Sequence, residues 1–250
     1  MFIDALKKYT PVEVNGRDLI NSEKSDKNKI LYKLIKLIPQ NIDPITPGLE
    51  SYIEEKYEKL NKNESGFISE VINFKKDIDK YVKENFRNLN IFKNIKDKKF
   101  GSLTNKEPFA KQLSNYIDHC MKIGFKGKTP EEIEEHLDSI IGLFHYLNSR
   151  LTFQIELNKK MSERLLKDLT LSIINEKKLI TKLKEEAGLS YVKNMQEMMF
   201  NYDNSKEIEQ LYKELKHQGS PNGIKMKVNV LCSQNTWEIN KRSMEKMILP

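Results

Sequence analysis

Met161–Ile208 reads MSERLLKDLTLSIINEKKLITKLKEEAGLSYVKNMQEMMFNYDNSKEI. It decides the fold class. Leu179, Ile180 and Leu183 share one face of a helical pattern that Gly188 stops. A methionine-rich run, Tyr191–Phe200, follows as a short helix, and Ser205 is placed to cap another over Lys206–Leu215. Upstream, Leu151–Lys167 puts Phe153, Leu157, Met161 and Leu165 on one side. This is the rhythm of stacked helices, and nothing in it has the form of a reaction centre.

The same rhythm extends toward the N-terminus. Thr129-Pro130-Glu131-Glu132 is a helix start. Thr129 can accept from a free backbone amide, Pro130 lacks the hydrogen that the first helical position would waste, and Glu132 can reach back to the cap. Ile133, Leu137, Ile140, Ile141, Phe144 and Leu147 form the face that follows. Asn105–Met121 carries Phe109, Leu113, Tyr116, Ile117 and Cys120 on one side, and Ile123–Lys128 reads as a turn. Phe67 to Phe92 is one long helical stripe of Val71, Phe74, Ile78, Tyr81, Val82, Phe86 and Leu89, with Phe100-Gly101 closing that region. A helix enters from Pro47-Gly48 with Leu49, Ile53, Tyr57 and Leu60, and Ile30–Ile38 offers one more buried face. Residues 1–29 are weakly patterned.

At the other end the period changes. Gln218–Gly223 is rich in glycine and proline, and Met226, Val228, Val230 and Cys232 alternate with Lys227, Asn229 and Leu231. This is the one good strand pattern. A lone strand needs a neighbour, either within the fold or from a partner. The expectation is therefore a mainly α, elongated protein ending in a short α/β stub. Its parts are a poorly patterned segment 1–29, the end of a helical repeat at 30–100, a helical bundle at 101–217 and a partial α/β segment at 218–250.

The 250 residues hold 38% apolar and 32% charged side chains, with Lys+Arg 43 against Asp+Glu 36, a net charge of +7. Lys and Glu alternate along helix faces, as on a solvated helical surface. No basic stripe interleaves with aromatics, so nucleic acid is not expected as a ligand. No apolar run approaches membrane-spanning length. Cys120 and Cys232 sit on apolar phases and read as small buried hydrophobes rather than a disulfide. A cytosolic or nuclear protein is expected. The four histidines, His119, His136, His145 and His217, form no metal-ligand spacing, and no phosphate loop or nucleophile triad can be placed. No cofactor, metal or catalytic residue is expected.

The ordered motifs resemble the cullin family, the scaffolds of multisubunit ubiquitin ligases. The run from Phe153 through Met161 to Arg164, Leu165 and Leu166 is similar to the family's F-x-x-x-Y-x-x-x-L-A-K-R-L-L, with Leu157 at the tyrosine and Glu163 at the lysine. Thr181, Lys182, Leu183, Lys184, Glu185, Glu186, Ala187 and Gly188 resemble the next helix end, with Ala187 at the family cysteine. Asn194, Met195, Met198, Met199, Asn201, Ser205, Lys206 and Glu207 resemble K-L-x-x-M-F-x-D-x-x-x-S-K-D. Leu231, Cys232 and Trp237 resemble the V-L-x-x-x-x-W-P strand ending, with Glu238 at the proline.

The resemblance implies a non-catalytic scaffold that holds a RING-box protein, through which a ubiquitin-conjugating enzyme is recruited. A substrate adaptor is not expected on this chain alone. Strand addition at Met226–Cys232 would be the docking device. Met226, Val228, Val230 and Trp237 are the partner-proximal candidates, and Arg164 is expected as a helix-surface or interface ion pair. The alternatives are a cullin-like interaction module without ligase activity, and an unrelated helical binding module.

Overall fold

The computed structural model describes residues 46–61, 66–86, 90–105, 108–216, 227, 229–231 and 237. The expected features at 1–29, Ile30–Ile38, Met226, Val228 and Cys232 lie outside the described residues. Eight α-helices occur among those described: α1 Thr46–Leu60, α2 Phe67–Phe86, α3 Asn90–Thr104, α4 Phe109–His119, α5 Pro130–Phe144, α6 Arg150–Leu166, α7 Ile173–Ala187 and α8 Leu189–Lys216. No strand is present among the described residues, so the fold is mainly α and the expected C-terminal α/β stub is not seen.

The chain divides into two compact units. The first holds residues up to Phe109 together with Tyr146–Asn148. Within it α1 packs on α3, and α2 joins both. Ile53, Val71, Ile78, Phe100 and Leu103 are almost fully buried there. Tyr57 sends its hydroxyl to the Leu103 carbonyl at 3.1 Å, satisfying a polar tip inside an apolar layer. The Tyr146 ring stacks on Phe100 with centroids 5.9 Å apart, and its hydroxyl donates to Asp97 at 2.6 Å. Burial, reinforced by the Asp97 carboxylate, pushes the Tyr146 phenol well above its usual range.

The second unit holds Ala110–His145 and the residues from Ser149 onward. In it α7 packs on both α5 and α8, and α8 also packs on α6. Phe144 meets Phe153 at 5.2 Å and Tyr191 at 5.6 Å, an aromatic cluster in which Phe153 is fully buried. Between α4 and α5 the chain makes a π-turn, Cys120–Gly124, in which the Phe125 amide bonds to the Cys120 carbonyl at 3.1 Å. Cys120 is buried, as its apolar phase suggests, and burial pushes its thiol up to about 11.

The start of α5 follows the sequence reading. Thr129 Oγ1 accepts from the Glu132 amide at 3.2 Å, and Glu132 Oε2 accepts from the Thr129 amide at 2.8 Å. Gly188 breaks the chain between α7 and α8 at φ +89, a left-handed conformation that a side chain resists. Other boundaries differ from expectation. The stripe read as Phe67 to Phe92 is two helices, because α2 ends at Phe86 and α3 begins at Asn90. Gly101 lies inside α3 rather than ending it. The two helices expected at Tyr191–Phe200 and Lys206–Leu215 are one 28-residue helix, α8. Ser205 caps nothing, since its hydroxyl bonds back to the Asn201 carbonyl at 2.7 Å and the helix runs through.

Candidate functional site

Leu157, Met161, Arg164 and Leu165 lie on one side of α6. Arg164 stands seven positions after Leu157, on the core phase of a 3.6-residue helix. Its side chain is 0% exposed, which corrects the expectation of a surface or interface pair. A guanidinium buried alone would cost several kcal/mol, on the order of 3–5 when one partner of such a pair is removed. Three bonds offset that cost. Nε donates to Glu176 Oε1 at 2.7 Å, Nη2 to Glu176 Oε2 at 2.9 Å and Nη1 to Asp118 Oδ1 at 2.8 Å. The planar fork fits a carboxylate in a way that a lysine ammonium does not.

The two acids come from different elements. Glu176 sits in the first turn of α7, where the helix end favours negative charge, and Thr170 Oγ1 donates to it at 3.0 Å. Asp118 belongs to the last turn of α4 and also pairs with Lys122 at 2.8 Å. Burial pushes the Asp118 carboxyl upward, but its bonds to Lys122 and Arg164 outweigh that and hold it below the ordinary range. For Arg164 the sign reverses: burial opposes the cation, and Glu176 and then Asp118 more than restore it. One side chain on α6 thus ties α4 and α7 together.

The chain after α6 is fastened just as tightly. The Leu169 amide bonds to the Arg164 carbonyl at 2.8 Å, and the Leu171 amide to the Met121 carbonyl at 2.9 Å. Asp168 adopts a left-handed φ of 52, a conformation that Asp tolerates better than most residues. Its carboxylate receives Lys227, and Lys206 lies 3.4 Å away. Burial raises the Asp168 carboxyl, but Lys227 and Lys206 lower it further, with a net downward shift. Lys227 also donates to the Leu166 carbonyl at 3.0 Å, closing the open C-terminal end of α6 with a cation.

Val230, expected on an unfinished strand edge, is bonded differently. Its amide donates to Ser205 Oγ at 2.8 Å. Lys227 and Asn229–Leu231 carry no strand conformation. At Val230 the backbone amide is met by a side chain of α8, and no paired strand is present among the described residues. Trp237 is 6% exposed with its indole Nε1 unbonded, while Met226 and Val228 lie outside the described residues.

The structure therefore brings Arg164, Leu165, Leu166, Ser205, Lys206 and Val230 into one neighbourhood at the end of α6. The other motif residues work elsewhere in the second unit. Phe153, Leu183 and Met198 are core, and Gly188 is the corner between helices. Lys182, only 15% exposed, bridges from α7 to Glu134 and Asp138 of α5. Burial alone would lower its ammonium, yet the two acids raise it. Sequence reasoning missed Asp118, Asp168, Thr170, Glu176 and Lys227. The available signal was Arg164 itself, since a charge on a core phase requires buried partners.

This arrangement joins helices and shows no reacting group. Residues 4–209 match the family model described as the cullin alpha solenoid domain. The chain is 28% identical over 173 residues to mouse (Mus musculus) Cullin-4A, covering 68% of this chain and 23% of that protein. It is 26% identical over 226 residues to Cullin-4 of Dictyostelium discoideum, covering 88% and 28%. It is 24% identical over 217 residues to Cullin-3A of Arabidopsis thaliana, covering 83% and 29%. The chain spans about a quarter of the length of the curated relatives it matches. The family model covers most of the chain, through the arginine hub and into α8, and the chain belongs to the cullin family.

Proposed function

We propose that this chain is a helical segment of the scaffold of a cullin-RING-type ubiquitin ligase, setting the distance and angle between partners and making no bonds itself. The supporting observation is the cullin-family match across residues 4–209, which includes the hub that ties α4, α6 and α7 through Arg164. A scaffold must transmit position, and a two-pronged buried pair restricts how its helices can shift. On this reading the chain works in the cytosol or nucleus alongside a RING-box protein, which brings the ubiquitin-conjugating enzyme.

The second reading is a cullin-like interaction module without ligase activity. One observation favours it: the Val230 amide is already bonded to Ser205 and is not free to receive a partner strand there. Co-expression with a RING-box protein from the same organism separates the two. A stable complex that discharges ubiquitin from a loaded conjugating enzyme supports the scaffold. A monodisperse chain that ignores the RING-box protein removes that reading and leaves the interaction module.

A further inference from the structure

Lys227 and Asn229–Leu231 reach back to the end of α6 and to α8, and contacts at two points hold them there. Lys227 sends its ammonium to the Asp168 carboxylate and to the Leu166 carbonyl, the latter at 3.0 Å. Further along, the Val230 amide donates to Ser205 Oγ at 2.8 Å. None of these residues is buried: Lys227 and Asn229 are exposed, and Val230 and Leu231 are half-buried. The described residues thus form a strap, fastened by polar contacts and with little apolar anchoring of its own.

The groups that receive the strap are also satisfied without it. Asp168 has a second cation, Lys206 of α8, 3.4 Å away, and Lys206 is itself met by Glu209 at 3.4 Å. Ser205 keeps its bond to the Asn201 carbonyl at 2.7 Å. Lifting the strap therefore leaves neither an unpaired carboxylate nor an unbonded hydroxyl. Arg164 stands in contrast, since its loss would leave Glu176 buried without a cation. The clasp is also open to water, with the Lys227 and Asp168 side chains 39% and 42% exposed. Salt screens such a pair, and exposed pairs hold weakly. Contacts of this kind open locally, at a free energy well below that of global unfolding.

We propose that this strap is an autoinhibitory contact: closed, it holds the Val230 backbone against α8, and released, it offers that backbone to an added strand. Release frees the Val230 amide, which lies within the alternating Met226–Cys232 sequence that suits strand pairing. A partner strand then binds in proportion to the fraction of chains whose strap is open. The identity of that partner, a RING-box protein, rests on the scaffold reading. The opening of the strap does not depend on it.

Amide hydrogen exchange of the full 250-residue chain tests the release. The Val230 amide should exchange about fivefold faster in high than in low potassium chloride. The amide of Leu183, a fully buried residue of α7, should hold its rate. Asp168→Asn should speed Val230 in the same way at low salt. That variant leaves the strap sequence intact, and asparagine tolerates the left-handed φ of 52. Calorimetric titration with a RING-box protein is the second arm. Asp168→Asn should bind it more tightly by the factor by which Val230 exchange rises, because both follow the open fraction. Equal affinity despite faster exchange overturns the autoinhibition and leaves the scaffold reading standing. No binding by either protein overturns the scaffold reading and the gating with it. Val230 exchange that changes only in step with Leu183 overturns the release.

Discussion

Arg164 and Glu176 meet as a two-pronged ion pair at 2.7 and 2.9 Å, with both side chains 0% exposed. They stand 12 positions apart across the loop between α6 and α7. Asp118, 46 positions before Arg164, completes the arrangement from α4. The pair is not evidence of high stability, since a well-packed apolar replacement can do as well. What it does establish is a strong penalty for losing one member.

Arg164→Ala should therefore lower unfolding stability by about 3–5 kcal/mol, because Glu176 would be left buried without a cation, while Asp118 would keep only Lys122. Arg164→Lys should recover only part of this, as an ammonium cannot span both Glu176 oxygens. Urea unfolding followed by far-UV circular dichroism measures both. A loss under about 1 kcal/mol in Arg164→Ala would mean that the hub is not a structural tie.

Acid should weaken the fold through Asp118. Its carboxyl is held below the ordinary range in the folded state, so the unfolded chain takes up the proton first. The stabilisation is complete above the unfolded carboxylate pKa, about 4, and is lost as pH falls through the lower folded value. Asp168, shifted in the same direction, adds to the effect. Urea midpoints measured from neutral pH down to about 3 should fall. Asp118→Asn should show a shallower fall, and an equally steep one would count against this assignment.

Gly188→Ala should destabilise the second unit although the position has open space around it. A Cβ added there would meet no atom within 4 Å, so the cost comes from the φ of +89 alone. A side chain forced into such backbone costs about 1–3 kcal/mol. Thermal unfolding reads the loss, and an unchanged melting temperature would show that the corner relaxes without penalty.

Ser205→Ala removes the acceptor of the Val230 amide and should cost about 1 kcal/mol. Hydrogen exchange is the sharper measurement. The Val230 amide should exchange faster in the variant, while the core amides of α6 should change only in step with global stability. Protection of Val230 that survives the substitution would point to a different acceptor.

Local features were legible where neighbouring residues supply both halves of the interaction. Thr129 and Glu132 are three positions apart, so the capping box could be read directly, and Gly188 marked its own corner. The stripe of Phe153, Leu157, Met161 and Leu165 is core as its spacing indicates. Ser205 misled because a serine suits a cap in isolation, yet here the Asn201 carbonyl satisfies it within a continuous helix. The alternation around Val230 is a different case. A period of two describes a chain that could pair, not whether a partner or a serine hydroxyl meets the amide.

By itself, the sequence determined that this protein is helical, where several of its helices begin and turn, and, through its ordered motifs, which family it resembles. These depend on free energies set within a few residues of chain, chiefly apolar periodicity, capping and backbone preference. Only the tertiary structure decided that Arg164 is buried, which acids hold it, and that Lys227 closes the end of α6. Those outcomes depend on groups as far as 61 positions apart, which only packing brings within bonding distance.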